Sequence, residues 1–138
     1  MEQDYMRRIV LREHDPPRAA NIELLSRTAR FALDRGFHVI LKGIMSARRY
    51  GEMLSGLHLD HAGRSFFYYL DVSWTETVRR HSTRPQFKEF GVEDMRGWFG
   101  DAGPLDAVPE TRIAESSTLE ETVARIRAEA FACQSGAR

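Results

Sequence analysis

Two short apolar runs limit what this chain can fold into more than any other feature. Phe37-His38-Val39-Ile40-Leu41 and Ser65-Phe66-Phe67-Tyr68-Tyr69-Leu70-Asp71-Val72 are rich in strand formers and lack the strict apolar/polar alternation of a half-exposed strand. Such runs suit strands covered on both faces, the mark of a parallel sheet. Residues 111–115 read as a further short strand. Helical patterns lie between them. Met6, Ile9 and Val10 repeat at helical spacing within residues 5–13, with Asp4 as N-cap, and Asp15-Pro16-Pro17 then forms a turn. Ile22, Leu25, Ala29, Ala32 and Leu33 form a second stripe, stopped at Gly36. Residues 47–62 form a third helix before Gly63, and residues 75–81 a fourth, capped by Ser73. Residues 118–131 form a last one, where Thr118 and Glu121 make a capping box. Leu119, Val123, Ile126 and Ala130 share one face of that helix. Strands alternating with helices predict an α/β fold with parallel strands and right-handed crossovers.

At 138 residues the chain predicts one domain, residues 1–138. Residues 85–109 hold four of the ten glycines and three of the five prolines, which predicts a lid or loop excursion with one short helix near residues 93–99. Residues 134–138 read as disordered. Twenty cations balance twenty anions, which argues against a general nucleic-acid or membrane-surface binder. Eighteen of the cations are arginine, a bias that fits either GC-rich coding or phosphate recognition. The single cysteine, Cys133, rules out a disulfide framework within one chain. It fits a cytoplasmic location, as does the lack of a signal-peptide pattern. No apolar run is long enough to span a bilayer.

No G-x-x-x-x-G-K-[ST] segment occurs, and neither lysine, Lys42 nor Lys88, follows a glycine. Yet the order of segments resembles P-loop kinases of the zeta-toxin, gluconate-kinase and chloramphenicol-phosphotransferase type. The resemblance rests on Asp4-Tyr5-x-Arg7-Arg8, Val39-Ile40-Leu41-Lys42-Gly43-Ile44, Ala47-Arg48-Arg49-Tyr50 and Phe67-Tyr68-Tyr69-Leu70-Asp71-Val72. A fifth stretch, Thr77-Val78-Arg79-Arg80-His81-x-x-Arg84-Pro85, completes it.

The resemblance implies a parallel sheet flanked by helices, with strand order like 2-3-1-4-5 and an N-terminal truncation: the first strand, phosphate loop and first helix are missing. Residues 37–41 and 66–72 would each lose a neighbour, leaving unpaired edges. Either the two runs pair directly or another chain fills the place, as in a homo-oligomer. Family members read through a strand into the segment that here begins at Met1, so Met1 is expected to be a misassigned start or a real truncation.

The implied parent activity is ATP-dependent phosphoryl transfer to a small-molecule hydroxyl, with ATP and Mg²⁺ as cofactors and nucleotide binding impaired in the chain as given. The alternative is a catalytically inactive kinase-like binding or interaction protein, such as a homodimer. Asp4 is the implied base, against its reading as a helix cap. Arg80 and Arg84, four apart on one helix face, are the implied lid cations, against a solvated basic face. Arg48 and Arg49 at a helix start, with Arg7 and Arg8, are the implied substrate contacts, against ordinary surface charge. Lys42 stands where the family carries a glutamate, and so either touches phosphate or disables metal chemistry. His58 and His61 lack an evident third metal ligand. Trp74, Trp98 and Phe99 suit packing more than stacking on a base.

Overall fold

The computed structural model describes residues 1–14, 19–61, 64–100 and 103–131. The expected turn at Asp15-Pro16-Pro17, the stop at Gly63, Cys133 and the tail at residues 134–138 lie outside them. The fold is α/β. The chain divides into two compact units, Met1–Ala62 and Gly63–Arg138.

The first unit opens with a short helical turn, α1 (Gln3–Tyr5), which runs on as a wider π-helical stretch, Met6–Val10. Asp4 is not its N-cap. Glu2 holds that position without a side-chain bond, and Asp4 sits in the first turn facing Arg7. Two longer helices follow, α2 (Ala20–Asp34) and α3 (Ala47–Asp60). The Glu13 carboxylate accepts from the free amides of Ala20 (3.0 Å) and Asn21 (3.2 Å), capping α2 from outside the helix. Leu25 and Ala29, one turn apart, bury the inner face of α2. Tyr50, Leu54 and Leu57, at i, i+4 and i+7, bury that of α3. Complete burial of a side chain such as Leu25 stabilises by about 1.5–3 kcal/mol.

Residues 37–41 do not form the expected two-sided strand. Phe37 is 66% exposed and Ile40 76%. Only the end of this run pairs, through a parallel bridge between Lys42 and Glu2. The Gln3 amide donates to the Lys42 carbonyl (2.9 Å), and the Lys42 amide to the Met1 carbonyl (3.0 Å). The physical reason is the neighbour: a strand buried on both faces needs partners along both edges, and among the described residues Met1–Gln3 pairs with the end of this run.

The second unit holds the sheet. β1 (Phe67–Asp71) and β2 (Glu110–Ala114) pair in parallel, Phe67 opposite Glu110 through Asp71 opposite Ala114. Between them come α4 (Trp74–Ser82), a 3₁₀ turn (Pro85–Lys88) and α5 (Val92–Phe99). Ser73 caps α4, accepting from the Glu76 amide at 3.3 Å. His81, Met95, Val108 and Ile113 are buried here. Trp74 meets Phe99 edge-on at 5.2 Å, and Phe90 meets Trp98 at 5.1 Å. These aromatic pairs pack α5 onto the rest of its unit. His81 stacks on Phe90, and its Nε2 donates to the Phe90 carbonyl at 3.0 Å.

α6 (Leu119–Phe131) begins with the expected capping box: Thr118 N donates to Glu121 and Glu121 N to Thr118 Oγ1. Its apolar face is less covered than its pattern predicts, with Leu119 74% and Val123 45% exposed. Tyr68 ties β1 to α6 by donating to Glu129 at 2.9 Å. Burial, then the bond to Glu129, pushes its hydroxyl pKa up to about 12.

Candidate functional site

In the first unit, Asp4, Arg7 and Arg8 form one cluster. Arg7 Nη2 donates to Asp4 at 2.8 Å, and Arg8 lies 4.0 Å from the other carboxylate oxygen. A carboxylate held this way is fixed in orientation, as a proton acceptor needs to be. Lys42 Nζ pairs with Glu2 at 3.0 Å across the parallel bridge. Lys42 is therefore matched by a carboxylate from the neighbouring segment.

Arg48 and Arg49, in the first turn of α3, line a groove of about 790 Å³ between α2 and α3, together with Ala19 and Ala20 at the start of α2. Arg30 enters the same groove. It donates to Ser26 at 3.3 Å and pairs with Asp60. Gly56 makes room for it, since a Cβ there would stand 3.3 Å from Arg30 Nη2. Glu23 and Glu52 also line the groove, so it presents both signs of charge.

Behind this surface lies a buried polar cluster. Gln3 Nε2 (2.8 Å) and Asn21 Nδ2 (3.0 Å) both donate to the Tyr50 hydroxyl. All three residues are at least 96% buried. The cluster ties the N-terminal segment to α2 and α3, and so fixes where Asp4 stands.

In the second unit, Arg80 is held from two sides. Its Nε donates to Glu76 at 2.7 Å and its Nη2 to the Glu115 carbonyl at 2.8 Å. Arg79 forks onto the same Glu76 carboxylate at 2.6 and 2.7 Å. The bonds from Arg79, then those from Arg80, hold the Glu76 carboxyl down at about 2. The Glu115 carboxylate accepts from the Ser73 amide at 2.8 Å, and the bond from the Ser73 side chain, then that from its amide, holds its pKa below the usual range. Arg84 stands exposed in the turn after α4, its amide bonded to the His81 carbonyl.

The sequence singled out these arginines as candidates but not the groups that hold them. Glu76 was findable, because it lies three and four residues before Arg79 and Arg80 on one helix face. Glu115, Arg30 and the cluster around Tyr50 act through contacts distant in sequence, which no local pattern reveals.

Among the described residues no group of three or more His, Cys, Asp or Glu is placed to hold a metal ion, and no helix is long and apolar enough to cross a membrane. No protein-family model matches the chain, and no curated protein or solved structure matches it significantly.

Proposed function

We propose that these residues form the acceptor-and-lid part of a P-loop-kinase-like phosphotransferase acting on a hydroxyl of a small molecule. The supporting observation is the pairing. Met1–Gln3 runs parallel with the end of the 37–42 segment in one unit, and β1 runs parallel with β2 in the other. Those are the two pairings that a 2-3-1-4-5 sheet keeps when its central strand is not among the residues.

In this reading Asp4, oriented by Arg7, accepts the proton of the acceptor hydroxyl. Arg80 and Arg84 balance negative charge on the phosphoryl group. Arg48 and Arg49, with Arg7 and Arg8, orient an anionic or polar acceptor. The residues here do not fit Mg·ATP. No phosphate loop occurs among them, and the strand-end position that would serve the metal carries Lys42 paired with Glu2. Nucleotide and metal chemistry is therefore assigned to none of them.

That same ion pair favours a second reading, a kinase-like chain that binds or assembles without catalysis. The two readings part at Asp4. In the chain expressed together with its upstream reading frame, Asp4→Asn is expected to lower phosphoryl-transfer turnover by about 10²–10⁴-fold. The rise in melting temperature caused by Mg·ATP should persist. Turnover unaffected by the substitution would remove Asp4 from the chemistry, and an absence of turnover in the parent protein would leave the second reading.

A further inference from the structure

We infer that Glu76 is an internal stand-in for an oxyanion: its carboxylate fills the position between Arg79 and Arg80 that a phosphate or phosphoryl group takes when a ligand binds. Both Glu76 oxygens are used. One accepts from Arg79 Nη2 and Arg80 Nε, each at 2.7 Å, and the other from Arg79 Nε at 2.6 Å. One guanidinium fork, from Arg79, and a further N–H from Arg80 converge on one anion, and converging arginine donors are what recognises phosphate.

Two features make the carboxylate displaceable rather than merely structural. The site is open, with the Arg79 side chain 66% and that of Arg80 37% exposed, and exposed ion pairs are weakly held. Arg80 also has a second anchor, the Glu115 carbonyl at 2.8 Å. When Glu76 swings away, that bond keeps the guanidinium in place, so the anion position outlives its internal occupant.

The charge balance leaves room for a ligand. Arg79 and Arg80 share the single carboxylate of Glu76, two cations against one anion. An incoming oxyanion that displaces Glu76 keeps the guanidiniums paired and supplies further acceptor oxygens. The inference shares Arg80 with the phosphotransferase reading and rests on it only for the identity of the natural ligand.

Inorganic pyrophosphate titrated into the full chain by calorimetry tests it. Glu76→Gln is expected to tighten binding at least about tenfold over the parent protein. Adding Arg80→Ala to that variant is expected to abolish the gain. Equal affinity for the parent protein and E76Q, or a gain that survives the loss of Arg80, would overturn the inference. If E76Q does not fold, the Arg80 Nε–H resonance of the parent protein is followed instead. A saturable shift with pyrophosphate is expected, and none up to millimolar concentrations would overturn the inference. No nucleotide or turnover enters this test. A chain that passes it but shows no phosphoryl transfer loses the phosphotransferase reading and keeps the oxyanion site.

Discussion

Tyr50→Ala is expected to lower the stability of the first unit by about 4 kcal/mol or more, which is most of what a small domain has. The side chain is 2% exposed, and Leu25, Leu54 and Leu57 are buried in the same unit. Its removal leaves a cavity where the helices meet, and strips both Gln3 and Asn21 of their acceptor. Tyr50→Phe separates the two effects. It keeps the ring and deletes only the oxygen, leaving the Gln3 and Asn21 amide donors buried without a partner. That loss alone is expected to cost about 2 kcal/mol. Urea unfolding followed by far-ultraviolet circular dichroism reads both values. An unchanged midpoint for Y50F would mean that the hydroxyl is not the hub of a buried network.

Gly43→Ala is the second large effect, at about 3 kcal/mol. Gly43 has φ +151°, a backbone conformation that side chains other than glycine rarely adopt. A Cβ there would also stand 2.7 Å from Gln3 Cβ, closer than non-bonded carbons approach. The N-terminal segment would have to move, and with it the Gln3 bonds to Lys42 and Tyr50. Gly36→Ala is the control. Its φ is +81°, but nothing lies within 4 Å of a Cβ at that position. It is expected to cost only about 1 kcal/mol, the conformational penalty alone. Similar losses at both glycines would show that the close approach of Gln3 does not matter.

What was legible in the sequence was local. The stripe at Leu25 and Ala29, the Ser73 cap and the Thr118–Glu121 box are set by residues within one or two turns, and each formed as expected. β1 was legible for a different reason: an apolar run between turn-forming residues has few other solutions. The run at 37–41 has the same composition and failed, because a strand is completed by its neighbours and the sequence does not name them. Asp4 failed as a cap for a smaller reason, since the helix begins two residues earlier and Arg7 offers it a charged partner.

The candidate site divides along the same line. Arginines near helix ends could be picked out one by one, and Glu76 could have been added from its spacing. Tyr50 lies 47 residues from Gln3 and 29 from Asn21, and Arg30 lies 30 from Asp60. Contacts at those separations exist only once the two helices have packed. For this reason the sequence offered Arg48 and Arg49 either as substrate contacts or as ordinary surface charge at a helix start, while their place in a groove shared with Arg30 came from the fold.

Whether these residues belong to a phosphotransferase is tested most directly by the DNA immediately upstream of the Met1 codon. The phosphotransferase reading predicts in-frame codons for an apolar strand followed by G-x-x-x-x-G-K-[ST], the residues that would supply a central strand and a phosphate cradle. A stop codon directly upstream, or an open frame without that motif, would contradict the phosphotransferase and leave a kinase-like chain that binds without catalysis.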